Sequence, residues 1–560
     1  MPDSNRSSGQ PRTSIAALLI MLLVAACLKG GDAPSPPVQV AFVEGPRLST
    51  KLGAIPHPIS TEVPRAQLYF DQGLTLIFGF NHEAAIDSFE EAIRLDPSCG
   101  PCHWGIALAL GPNINRPIGP DASARAYQEV QTALRLTEPG TRERAYVEAL
   151  APRYAAEPPK DRSALDLAYA NAMRALHQAD PSDHDAAVLF AESLMDLYPW
   201  AYWTPEGEPR EYTTEIIATL ESVLEQEPKH VGANHYYIHA VEEFTPERGE
   251  VAADRLATLA PEAGHLVHMP SHIYWRVGRY EDAADINQRA AAADEQFFEW
   301  CRGGAFYSAA YYPHNVHFLW AAASTEGRRD LALMTARKLE AAMKPALESV
   351  PMVQEFVAIP VLTMARFGLW DSLLGEAQPS EDYVYLTGIW HYARGLAQLR
   401  SGAVEDARAS RTALGAAVDD PRSAELILAG GTSSAQALLR IAAAHLDGEL
   451  ALAEDAAEDA VAHLRNAAAL HDALPYMEPP PWYSPPQQAL GAVLLDLGRA
   501  EEALAAYEED LQHYPKNGWS LFGVAQSLDA MGDSARAEWA RQGHERAWAR
   551  ADVALERTRF

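Results

Sequence analysis

Three stretches of the chain repeat one spacing of small, aromatic and proline residues, and that spacing limits the fold more than any other feature. Gly73, Ala85, Phe89, Ala92 and Pro97 take positions 8, 20, 24, 27 and 32 of one unit. Gly491, Ala503, Tyr507 and Pro515 repeat positions 8, 20, 24 and 32, and Trp519, Gly523, Ala535 and Trp539 form a third unit directly after them. Small residues let two helices approach, and the aromatic fills the gap to the next pair. Pro97, Pro181, Pro228 and Pro515 each stand where a proline ends a second helix. The pattern persists more loosely at Tyr274, Ala283 and Ala290 and at Gly395 and Ala407. A chain of 560 residues is too long for one compact core, whereas an array accommodates it. The expectation is an all-α, right-handed solenoid of roughly ten to twelve antiparallel helical hairpins over 65–551, ending in a tail at 552–560. "GPNINRPIGP" and "YPWAYWTPEGEPREY" read as loops on one rim.

The N-terminal segment speaks to compartment. Arg6 and Arg12 precede the apolar run 15–26, which is too short to span a bilayer and reads as a secretory signal. Val24-Ala25-Ala26-Cys27 resembles the bacterial lipobox, which implies a signal peptide at 1–27, acylation of Cys27 and a flexible tether at 28–64. Export to the cell envelope, facing the periplasm and anchored in a membrane by lipid, is the expectation. Forty-five Lys and Arg face 76 Asp and Glu, a net charge of -31 that repels nucleic acid.

The repeat positions resemble those of the tetratricopeptide repeat, a 34-residue helix–turn–helix unit. The phrases "NHYYIHAVE", "GHLVHMPSHIYWRVGRY", "YYPHNVHFLW" and "ALPYMEPPPWYSP" are similar to a group of bacterial exported tetratricopeptide lipoproteins rich in histidine. No reaction follows from that likeness. The resemblance does imply which positions face the concave groove, namely 2, 5, 9 and 12 of each first helix.

Eight of the 19 histidines lie between His230 and His317. With Ala283 at position 20, His265, His268 and His272 fall at positions 2, 5 and 9 of one helix, and His314 and His317 at 2 and 5 of the next. Five imidazoles on one wall form a candidate site for zinc, copper or iron, with Tyr274 and Asn315 as supporting partners. His235 and His239 have ligand spacing i, i+4, with Glu242 three residues on, but their register leaves groove and packing positions both open. No HExxH, GxSxG, P-loop or dinucleotide fingerprint occurs.

In Cys99-Gly-Pro-Cys102-His103 the two cysteines fall at groove positions 2 and 5. Three chemistries are open to it: a disulfide (inert or redox-active), covalent haem c with His103 as axial ligand, or metal ligation by the thiolates. Two functions follow. The first is a lipid-anchored scaffold whose histidine-lined groove binds an envelope peptide or protein and a transition metal. The alternative is a metal- or haem-dependent oxidoreductase, and whether the chain is an enzyme stays open.

Overall fold

The computed structural model describes residues 46–49, 51–53, 56–300, 305–428 and 430–560. The expected signal at 1–27, acylation at Cys27 and the remaining cysteine, Cys301, lie outside them. Among the described residues, helix follows helix from Pro64–Phe78 to Ser534–Ala547, and strand-like pairing is confined to isolated bridges. No described helix is long and apolar enough to cross a membrane.

The repeated small and aromatic residues meet as their spacing requires. A side-chain carbon at Gly73 would lie 2.6 Å from the Phe89 ring, and one at Gly105, in the next unit, 2.5 Å from it. Gly491 and Gly523 flank Tyr507 in the same way, at 2.4 and 2.2 Å. The aromatic at position 24 is therefore clamped between two first helices, which only glycine allows. Trp539, the same position in the final unit, has no following hairpin to cover it and is 66% exposed.

The two helices of a hairpin differ in how they are covered. Second helices such as His82–Leu95 bury Ala85, Phe89 and Ala92 while Asp87, Glu90 and Arg94 face water. First helices such as Gly100–Leu110, His184–Met195 and Val231–Val241 are buried on nearly all sides, their polar residues Asp185, Glu192, Asn234, His235 and His239 included. The expected open groove is absent here because later hairpins pack against earlier ones across it. Gly232 brings the Val231–Val241 helix onto Phe78. Gly278 has φ +74, and a side-chain carbon there would lie 2.2 Å from the Pro515 carbonyl oxygen. Lys516 Nζ donates to Val277 O at 2.9 Å, and Trp519 Nε1 to Ser324 O at 3.2 Å.

Two expected peripheral segments are part of this closure. The described portion of the proposed 28–64 tether buries Leu52 and His57, and Pro46 O accepts from the Tyr69 hydroxyl. The 552–560 tail is likewise no loose end. Asp552 accepts from the backbone N–H groups of Arg329 and Asp330, Thr558 is buried, and Arg559 joins Arg400 on buried Glu449. Apolar surface under both segments explains why they settle instead of trailing in solvent.

Candidate metal centre

Six histidines converge inside the closed layer. His235 and His239 lie one turn apart on the Val231–Val241 helix. His265, His268 and His272 come from two short pieces, Gly264–His268 and Pro270–Arg276, and His314 from the Ala305–Thr325 helix. The ligand atoms of His235, His239 and His265 all lie within 4.8 Å of one another, and so do those of His268, His272 and His314.

In each set the two histidines from one turn are aimed by a partner on the far side of the ring. His235 Nδ1 donates to Phe78 O at 2.5 Å, and His239 Nδ1 faces Glu242 Oε1 at 3.4 Å. His268 Nδ1 donates to Asn287 Oδ1 at 2.6 Å, while Asn287 Nδ2 donates to Ala283 O and so fixes the amide's orientation. His272 Nδ1 lies 3.0 Å from Glu478 Oε2 and 3.3 Å from Glu242 Oε2. With each Nδ1 carrying its proton, the Nε2 lone pairs point inward. They face each other at 3.1 Å for His235–His239 and 3.0 Å for His268–His272.

His265 completes the first set and has no hydrogen-bond partner at either nitrogen, although it is buried. The Tyr311 ring lies tilted against its ring, with centroids 4.5 Å apart. Burial, reinforced by neighbouring imidazoles, holds His235, His239, His265, His268 and His314 well below the ordinary histidine range, so they are neutral. Burial also acts to lower His272, but Glu242 and Glu478 outweigh it and raise that histidine. Burial pushes Glu242 itself up to about 7.

The geometry departs from the sequence expectation at several residues. His317 does not join the wall. His317 is turned about 60° round the helix from His314, so it stacks on Trp320 and meets Phe356 edge-on while His314 faces His268. Tyr274 donates to Asp254 and Asn315 to Asp294, so neither supports an imidazole. His235 and His239, left open between packing and groove, are central. Glu478 and Asn287 carry supporting roles that repeat register does not reveal. His230 stays apart: its Nδ1 caps its own helix at Ala233 N, and its Nε2 meets Asp185.

Cys99 and Cys102 form a disulfide and are fully buried rather than lining a groove. Gly100 between them is pressed against Leu136 and Thr137, and His103 Nδ1 lies 2.6 Å from Glu129 Oε2. Sulfurs bonded to each other beneath a packed turn do not fit thioether attachment of haem or thiolate ligation of a metal.

Above the histidines the two rim insertions meet. Trp200 Nε1 donates to Asn115 Oδ1 at 3.0 Å, and Asn115 Nδ2 donates to the Tyr311 hydroxyl at 3.0 Å. The Trp200 ring stands edge-on to His239 at 5.0 Å and is 43% exposed. Trp200 is thus the boundary between the imidazole cluster and solvent.

Residues 66–99 match the sequence model described as tetratricopeptide repeat. The chain thus carries a tetratricopeptide repeat at 66–99. No curated protein matches it significantly. Among solved structures, this tetratricopeptide chain is similar to the APC/C hetero-tetramer Cut9-Hcn1, at 12% identity over 88% of this chain and 78% of that one, with a TM-score of 0.28. It is also similar to a human IFIT1 dimer with m7Gppp-AAAA, at 11% identity over 88% and 92%, with a TM-score of 0.29. At such TM-scores neither overlay bears on what this chain binds. The matched repeat is of the kind from which protein-interaction scaffolds are built.

Proposed function

We propose that the chain is an exported, lipid-anchored tetratricopeptide scaffold of the bacterial cell envelope that holds a transition-metal centre in its closed interior. One observation carries the metal reading: the Nε2 atoms of buried His235 and His239 face each other at 3.1 Å while each Nδ1 faces an acceptor, Phe78 O or Glu242, which leaves the Nε2 atoms as the acceptors. Two acceptors at that distance repel unless a cation joins them. Nitrogens bound to one tetrahedral ion at about 2.0–2.1 Å stand roughly 3.3 Å apart, close to the spacing found. In the second set a proton on His272 can bridge to His268. The first set lacks that resort as long as Glu242 is ionised.

The donors are imidazoles held in one tautomer by carbonyl, amide and carboxylate partners, the arrangement that raises ligand basicity and fixes ring orientation. Zinc, copper and iron all accept such donors, and the set is wrong for magnesium or calcium. Export and acylation at Cys27 rest on the N-terminal sequence. A peptide or protein partner of the envelope would use the outer rims and the surface of the solenoid, since the inner wall is packed. Elemental analysis of chain purified from its native envelope, with and without chelation, tests the metal reading. Stoichiometric metal is expected, and a lower metal content on changing His235 or His239 to alanine is expected with it. Membrane partitioning that disappears in Cys27→Ala tests the anchor.

A further inference from the structure

Three groups of candidate ligands occur among the described residues: two all-histidine sets, and a third, Glu242, His272 and Glu478, that meets the second set at His272 through its Nδ1 side. Each of the two all-histidine sets has a pair of histidines one helical turn apart, Nε2 atoms inward, plus a third from a different helical piece. The sets adjoin. His239 and His272 have ring centroids 6.0 Å apart, as do His265 and His268, whereas His239 and His265, within one set, are 6.4 Å apart. Ions in the two sets would therefore be immediate neighbours.

We propose that this is a binuclear transition-metal centre, with His235, His239 and His265 holding one ion and His268, His272 and His314 the other; it rests on the metal reading above. Paired iron and manganese ions in helical proteins are held by inward-pointing glutamates that share charge with the metal. Here Glu242 and Glu478 stand behind the rings, against Nδ1 of His239 and His272. Each ion is left with three imidazole nitrogens, a set that suits copper or zinc. Three nitrogens also leave each ion open on the side facing its neighbour, where a small shared ligand would sit beneath Trp200 and Tyr311.

The test is anaerobic titration of the full chain with copper(I) against a colorimetric copper(I) chelator, followed by desalting and elemental analysis. Two equivalents per chain are expected. His235→Ala/His239→Ala and His268→Ala/His272→Ala should each retain one, and His317→Ala should retain two. Because buried alanine variants can unfold, each is checked by circular dichroism, and wild type supplies an independent measurement. Its copper X-ray absorption should show nitrogen-only ligation with a second copper within about 4 Å. A single tight equivalent, or copper with no near copper neighbour, overturns the pair while leaving a metal centre in place. Failure to retain any ion overturns both readings.

Discussion

Single side chains here are governed by burial, and the buried carboxyl of Asp294 gives the clearest consequence. It accepts from the Tyr307 hydroxyl at 2.9 Å and from Asn315 Nδ2 at 2.7 Å, yet burial outweighs both and raises its pKa to about 7. Between its unfolded value of 3.8 and about 7 the native chain holds a proton that the unfolded chain releases. Stability contributed at this site therefore falls as pH rises through that window, by about 3–4 kcal/mol in all. Asp294→Asn removes the dependence. Asn315 Oδ1 has no partner, so a flipped Asn315 can accept from the new amide. Melting curves should show the variant level with wild type near pH 4 and more stable at pH 8. Among the histidines, His268→Ala should lower metal content by weakening its own set, and His391→Ala, half-buried beside Trp390, should leave metal content unchanged.

At the scale of elements, hairpins were legible in the sequence and their closure was not. Positions 8, 20 and 24 report a contact between neighbouring units, as Gly73, Phe89 and Gly105 show, so spacing alone reveals it. The histidine stripe was legible for the same reason, since register fixes the angle around a helix. Register says nothing of what arrives from across the axis. Phe78 O aims His235, and Glu478, 206 residues from His272 in sequence, aims that ring. The loop bearing Glu478 is thus a working part of the centre. Its Tyr476 hydroxyl donates to Glu478 Oε1 at 2.8 Å, and the Tyr476 ring lies against the Arg276 guanidinium. Glu478→Gln should lower metal affinity about 10–100-fold, measured by competition with a chelator, without changing the number of ions bound.

Across the whole molecule, the ends of the chain hold its hairpins shut. Removing residues 552–560 strips Asp552 from the first turn of the Arg329–Met343 helix and takes Arg559 from Glu449, leaving Arg400 as its remaining guanidinium partner. Loss of the cap and of half a buried charge cluster should cost about 2–4 kcal/mol, read as a lower urea midpoint at unchanged slope. Metal content at saturating metal should survive the truncation, because the six imidazoles lie among earlier elements.

The central claim is that a metal ion joins opposed imidazoles in the closed interior, and thermal denaturation with and without a chelator tests it most directly. A ligand that binds only the native state stabilises it by mass action, by about 2.7 kcal/mol at a hundred times its dissociation constant. Chelation should therefore lower the melting temperature of native-source wild type, re-addition of metal should restore it, and His268→Ala/His272→Ala should show a smaller response. Wild-type melting that is unmoved by chelator and by added metal, in a chain without stoichiometric metal, would contradict the account and leave the histidines as packing residues.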